Sequence, residues 1–311
     1  MKLVLIGCGV QGRAYAIAAA DLAIDLSLCA DPVSAAAKKA AALCRARAMT
    51  DCNSALAYKE IGGVLLCAPP HAIPGYLQRA AKLRKHVLIA SPFASGVDAR
   101  KALDATRATG VHAYIAHDTR VAPELGAIAS QLDQAAIGKP GFIRIVRVGA
   151  APHVKSAAGA VTSLLPADID WLAARFGSKP RLFAQSAHAP GVDHVSVTMT
   201  FADGPIVQWV GTCRAQGETP RASIEICGTA GMIQFTTDDL VFESAMVQGK
   251  RTESSRRSSP IAPSLAARHL ARFAALVETT PEPEAYDHEL TALRLLDAVA
   301  QSAATGREIR S

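Results

Sequence analysis

The sequence predicts an α/β chain: a doubly wound parallel sheet first, then an α/β domain with an open, mostly antiparallel sheet. Three observations predict it. Short apolar runs alternate with alanine-rich helical stretches through the first third. Those runs are apolar throughout, as strands of a parallel sheet covered on both faces are. After about Arg120 the pattern changes to consecutive strand-like segments parted by short polar turns, which suits antiparallel pairing.

The elements follow in order. Leu3–Ile6 is an apolar strand that runs into Gly7-Cys8-Gly9-Val10-Gln11-Gly12, and helical sequence continues from Arg13 to Ala20. Ile24–Ala30 is a second strand and ends at Asp31. Pro32 opens an alanine-rich helix to about Leu43, since proline suits a first helical turn. Val64–Cys67, Val87–Ala90 and His112–Ile115 are further buried strands with helices between them. Ala122–Leu132 is a helix, Phe142–Val148 a strand, and Leu164–Phe176 a helix. The strand run is Arg181–Ala187, Val195–Phe201, Ile206–Thr212, Ser223–Cys227, Met232–Thr236 and Leu240–Glu243. Gly249–Ser264 is polar and reads as a solvated loop, with phosphate clamping as its functional alternative. Leu265–Glu278 and Tyr286–Ala304 close the chain as helices, with apolar residues at helical spacing.

Composition narrows the function classes. Of 311 residues half are apolar and 19% charged, which excludes a disordered chain. Lysine and arginine exceed aspartate and glutamate by 33 to 27, with no basic block. That excess favours anionic small ligands over nucleic acid. The seven cysteines form no CxxC or CxH pattern, so reduced, buried thiols in a cytoplasmic protein are expected. No signal peptide is read at the start. No stretch reaches the roughly 18 apolar residues of a membrane span.

The glycine loop carries the chemistry. G-x-G-x-x-G follows a predicted strand, opens a helix, and precedes Asp31 at the end of the next strand. Gly7 permits the tight turn, Gly9 lets a pyrophosphate approach the backbone, and Gly12 lets the helix pack closely. Val10 and Gln11 begin the helix, whose unpaired N–H groups and positive dipole end suit phosphates. Asp31 can accept hydrogen bonds from ribose hydroxyls and would repel a 2′-phosphate. NAD is therefore expected, in preference to NADP.

Beyond this loop and its "CADP" (Cys29–Pro32), other stretches carry a resemblance. They are "LLCAPPHAIP" (Leu65–Pro74), "KHVLIASPFA" (Lys85–Ala94), "IGKPGFIRIVR" (Ile137–Arg147), "ADIDWLAARFG" (Ala167–Gly177) and "IEICGTAGMIQF" (Ile224–Phe235). In order and spacing the whole chain resembles the Gfo/Idh/MocA oxidoreductases, named for glucose–fructose oxidoreductase and inositol dehydrogenase. The resemblance implies a Rossmann dinucleotide domain over 1–119. It implies a substrate and oligomerisation domain over 120–311, whose sheet pairs copies of the chain into a homo-oligomer. It also places Ala68, Pro69, His71, Ser91 and Pro92 at the cofactor.

The same resemblance shows where chemistry departs. The family's sugar and polyol enzymes use a lysine in Glu-Lys-Pro and an aspartate and histidine four apart on a helix. Here the glutamate slot is Ala90 and the lysine slot Ser91, with only Pro92 matching. The aspartate slot is Ser163 and the histidine slot Ala167. Serine is a poor base without an activating neighbour, and alanine does no proton chemistry. The substrate candidates are His117, after the strand His112–Ile115; His153 and Lys155, in the Pro152–Gly159 loop; and Asp170, one helical turn from Ala167. No His/Asp/Glu group has metal-ligand spacing. The expected function is an NAD(P)-dependent oxidoreductase acting on a small polar carbonyl, lactol, imine or sugar-like substrate with altered proton handling. The alternative is a non-catalytic dinucleotide-binding sensor or regulatory protein.

Overall fold

The computed structural model describes residues 1–90, 93, 96–150, 164–189, 192–214, 221–238, 241–248, 251–258, 264–281 and 283–310. The chain groups into two compact units. One is Met1–Val121 with Pro263–Leu290, the other Ala122–Ala262 with Thr291–Ser311.

The first unit is built on six parallel strands: β1 (Lys2–Ile6), β2 (Leu26–Ala30), β3 (Arg47–Met49), β4 (Ile61–Leu66), β5 (His86–Ala90) and β6 (Ala113–Ala116). Their order is β3-β2-β1-β4-β5-β6. The apolar runs become the central strands because only residues without polar side chains can be covered on both faces. Leu3, Val4, Leu5 and Ile6 are all buried. Helix α1 (Val10–Asp21) buries Gly12, Tyr15, Ala16, Ala18 and Ala19. Helix α2 (Ser34–Cys44) buries Ala37, Ala40 and Ala41, a spacing that puts one alanine stripe on one helix face. Helices α3 (Cys52–Leu56), α4 (Ile73–Lys82) and α5 (Val97–Arg107) complete the crossovers.

A later segment belongs to this core. The helix Leu265–Leu276 puts Ala267, Leu270 and Phe273 into the cluster formed by Leu3, Leu5, Tyr15 and Leu88. Polar contacts fix it. Tyr114 Oη lies 2.7 Å from His269 Nδ1, and His269 Nε2 is 3.2 Å from Asp118 Oδ1. His112 Nε2 contacts the Thr279 carbonyl at 2.8 Å, and Tyr286 donates its hydroxyl to the Val111 carbonyl.

The second unit is a nine-stranded sheet. Its strands are β7 (Pro140–Ala150), β8 (Arg181–Ala189), β9 (Val192–Thr200), β10 (Ile206–Arg214), β11 (Arg221–Gly228), β12 (Gly231–Asp238), β13 (Val241–Gln248), β14 (Arg251–Ser258) and β15 (Ile309–Arg310). The order is β14-β13-β12-β11-β7-β10-β9-β8-β15, and only β7 and β10 pair in parallel. Alternation sets one buried face: Ile143 and Ile145, Val195 and Val197, Val207 and Trp209, Ile224 and Ile226. The fold class expected from the sequence is the one observed. Among the elements that differ, β3 and β15 are short strands the sequence reading did not give, and Arg251–Ser258, expected as solvated loop, forms the outer strand β14. An edge strand needs only one paired neighbour, so its sequence (RTESSRRS) lacks the apolar alternation that marks a half-buried strand.

Asp168 ties the helix Leu165–Phe176 to this sheet. It is buried and accepts from Arg147 Nε at 2.8 Å and Nη2 at 2.5 Å, and from Trp209 Nε1 at 2.8 Å. Trp209 is fully buried, and Gly211 makes room for it: a Cβ there would meet the indole at 2.1 Å. Asp168→Ala should cost about 3–5 kcal/mol, the usual loss when one partner of a buried ion pair is removed. Thermal unfolding should show a drop on the order of 10 °C.

Candidate nucleotide-binding site

The sheet order reverses between β1 and β4, and the two strands leave their carboxyl ends side by side. Ligands of open α/β sheets sit outside that switch point. Here the turn after β1 and the turn after β4 are packed against each other. Gly7 has φ +90°, a region side chains rarely occupy, and a Cβ on it would meet the Cys67 carbonyl oxygen at 2.4 Å. Gly12, in the first turn of α1, has its own contact: a Cβ would lie 2.1 Å from the Gly7 carbonyl oxygen. Gly9 differs, since a Cβ there meets nothing within 4 Å. The three glycines thus do separate work. Two let backbone touch backbone, and the third leaves open space in front of the helix.

Gly9 is the N-cap of α1 and offers no side chain to cap the helix. No acidic residue stands in the first turn to satisfy the positive dipole end. Val10 is 80% exposed and Gln11 is also exposed.

Asp31 is held by the backbone. Its Oδ2 accepts the Cys8 N–H at 2.8 Å and its Oδ1 the Val33 N–H at 2.8 Å. Each carboxylate oxygen has a further lone pair for a hydroxyl donor. The carboxylate therefore couples the end of β2 to the glycine loop and fixes its own direction. Arg13 adds a contact from Nη1 to the Cys8 carbonyl at 3.3 Å. After β4, Ala68 is half-buried, while Pro69 and His71 are exposed beside the short 3₁₀ turn Pro70–Ala72. Ser91, Pro92, His153, Lys155 and Ser163 lie outside the described residues, whereas neighbouring Phe93 is buried.

His117 follows β6 at the same carboxyl edge and is buried. Its Nε2 lies 4.0 Å from Oε2 of Glu289, whose Oε1 takes a 2.6 Å ion pair from Arg120. Glu289 is buried too. Sequence reading does not find it: a glutamate within a helical pattern looks like a solvated position, and only the packing of the helix Pro283–Thr305 reveals it. Asp170 is buried in the second unit, on the same helix as half-buried Ala167. Its near neighbour Asp168 is consumed by Arg147 and Trp209.

Residues 1–117 match the model of the Gfo/Idh/MocA oxidoreductase family, described as an NAD-binding Rossmann fold. Over these residues the chain is similar to that family's nucleotide-binding domain. The family expected from the sequence is the one found, and the expected cofactor agrees with its description. Compared by sequence with curated proteins, the chain matches none. Among solved structures it is similar to a levoglucosan dehydrogenase in complex with NADH and L-sorbose. That match has 19% identity and a TM-score of 0.84, covering 100% of this chain and 98% of that one. It is also similar to an oxidoreductase from Agrobacterium radiobacter in complex with NAD+, L-tartaric acid and magnesium, with 17% identity, the same coverage and a TM-score of 0.84. A putative myo-inositol dehydrogenase from Sinorhizobium meliloti 1021 matches at 21% identity and TM-score 0.79, over 100% and 99% of the chains. At such identities the likeness establishes the fold of both units. Among the described residues, no helix is long and apolar enough to cross a membrane.

The glycine geometry separates two kinds of variant. Gly12→Ala should weaken NADH binding at least tenfold and lower the unfolding temperature, because backbone must move to admit the methyl group. Gly9→Ala should leave the unfolding temperature within about 2 °C, the range of a surface substitution. Thermal unfolding with NADH fluorescence titration checks both.

Proposed function

We propose that this chain is an NAD-dependent oxidoreductase acting on a small polar carbonyl, lactol, imine or sugar-like substrate, with proton handling that does not use the family's lysine. The observation that carries the reading is the cradle formed by Gly7, Gly9 and Gly12 with the anchored Asp31. Backbone amides at the start of α1 would hold the diphosphate, Asp31 the adenosine ribose, and Ala68, Pro69 and His71 the adjoining rim. When bound, NAD supplies the hydride acceptor or donor. Ser91 and Pro92 would lie beside its reacting end, as the matching family stretch suggests.

His117 is the proposed proton-handling group, in place of the lysine slot held by Ser91. A buried imidazole beside a carboxylate has the chemistry of a general acid or base, and Glu289, oriented by Arg120, is the positioning carboxylate. His153, Lys155 and Asp170 are proposed substrate contacts. Residues 1–119 take the nucleotide role and 120–311 the substrate role, with the nine-stranded sheet as the face for a second copy of the chain. The seven free thiols support a cytoplasmic setting.

A second reading is favoured by Ser91, Ser163 and Ala167, which leave three proton-handling slots of the family unfilled: a dinucleotide sensor without turnover. Purified protein should bind NADH, and Gly9→Trp should abolish binding without unfolding. On a panel of sugars, lactols, polyols and imines, turnover is expected. His117→Ala should then lower kcat by roughly 10²–10⁴, the usual share of a positioned acid or base, with NADH affinity unchanged. NADH binding without turnover on any of these would establish the sensor. Absence of NADH binding would remove both readings.

A further inference from the structure

Three cysteines of the first unit, Cys8, Cys29 and Cys44, are arranged for a reaction that nucleotide binding does not require. Cys29 lies on β2, paired with Leu5 on one side and Ala48 on the other. Cys44 is the last residue of α2, half-buried at its carboxyl end. Their sulfurs are 3.8 Å apart. Cys29 also exchanges a side-chain hydrogen bond with Cys8, the residue between Gly7 and Gly9, and Cys8 Sγ is 3.6 Å from the Ala30 carbonyl. A sulfur–sulfur contact thus runs from an accessible helix end, through a buried strand, to the glycine loop.

We propose that Cys29 and Cys44 are a dithiol that a hydroperoxide oxidises to a disulfide, with Cys44 attacking and Cys29 resolving, and that the disulfide weakens dinucleotide binding. In the first step the Cys44 thiolate attacks the peroxide; the O–O bond breaks, an S–O bond forms, and the other oxygen leaves as water or alcohol. In the second step Cys29 Sγ attacks the Cys44 sulfur; the S–S bond forms, the S–O bond breaks, and hydroxide leaves as water with the Cys29 proton. Two electrons from the thiol pair reduce one hydroperoxide.

The division of labour follows from the surroundings. The hydrogen bond from Cys29 holds the Cys44 thiol down to about 7, against the opposing effect of burial, and the Ala46 and Cys44 N–H groups help. Cys44 is also the more accessible sulfur of the pair. Cys29 is pushed up, first of all by its bond to Cys44. That cause disappears once Cys44 is a sulfenic acid, which frees Cys29 to act as the second nucleophile. Burial pushes Cys52, Cys67, Cys213 and Cys227 up, so they are poor competitors. A disulfide needs sulfurs about 2 Å apart. Closing from 3.8 Å draws Cys29 away from Cys8, two residues before the Asp31 that anchors the Cys8 amide.

The sequence makes the test direct. Trypsin cuts after Arg13, Lys38, Lys39 and Arg45, so Cys8, Cys29 and Cys44 fall on separate peptides. Native protein treated with one equivalent of hydrogen peroxide and alkylated should yield Ala14–Lys38 joined to Ala40–Arg45. Cys29→Ser should instead give a Cys44 sulfenic acid that dimedone traps, and Cys44→Ser should leave Cys29 reduced. NADH affinity of the reduced protein should fall at least fivefold on oxidation, with both serine variants unaffected by peroxide. A linked pair that includes Cys8, or no linked pair from protein with native circular dichroism, overturns the dithiol. A disulfide that leaves NADH affinity unchanged overturns the coupling. The coupling rests on the nucleotide reading and the dithiol does not: reduced protein that fails to bind NADH removes the former while the peptide result stands.

Discussion

The contact between Gly12 and the Gly7 carbonyl governs everything at the head of this fold. It brings the first turn of α1 against the loop so closely that no side-chain atom fits between them. A parallel strand and its following helix meet at a fixed spacing set by side chains elsewhere along their length. The glycines remove that spacer at one end only. The helix start therefore lies close against the loop that leaves β1, with open space where a Gly9 side chain would stand. Gly7 repeats the device sideways against the turn after β4. Both contacts are between backbones, so no side-chain rotation relieves a substitution.

Asp31 extends that constraint from shape to charge. Two amide donors, one from the loop and one from the start of the next crossover, aim its carboxylate. A carboxylate so restrained need not lose rotamer freedom when a hydroxyl arrives, so each bond it makes to a ligand costs less order than a mobile side chain would. The anchoring bonds leave a further lone pair on each oxygen. The loop, the strand end and the carboxylate are thereby joined through two hydrogen bonds.

The elements differ in how legible they were. Leu3–Ile6 and the glycine loop could be read because burial on both faces and close backbone approach each demand particular residue types, and those types are visible as letters. The strands Val192–Thr200 and Ile206–Arg214 are legible, as Val195–Phe201 and Ile206–Thr212, because consecutive strand-like runs are parted by a short polar turn. Arg251–Ser258 was not, since an edge strand is specified by a neighbour's backbone and needs no apolar pattern of its own. The place of Leu265–Leu276 in the first core has no sequence mark either: an amphipathic helix announces that it has a partner but not which one. His117 could be named as a candidate from its position after a strand. Glu289 could not, because the pairing of two distant residues exists only once the helix Pro283–Thr305 is packed. Asp168 and Asp170 look alike in the sequence; hydrogen bonding to Arg147 and Trp209 marks the first as structural.

This difference in legibility bears on how the two halves of the proposed activity can vary. A diphosphate cradle made of backbone amides and absent Cβ atoms admits few sequences, so its letters persist wherever it is built. Proton transfer asks only for a group of suitable acidity within hydrogen-bond reach of the reacting atom. Such a group can be supplied from a different strand end, provided its environment fixes its orientation and protonation. A cradle with every expected glycine beside altered proton-handling slots is then no contradiction. On the proposed reading the imidazole of His117, with Glu289 and Arg120 behind it, stands at the carboxyl edge of β6, one strand over from the slot that Ser91 occupies after β5. On that proposal the nucleotide chemistry stays in the backbone while the proton chemistry moves along the edge of the sheet.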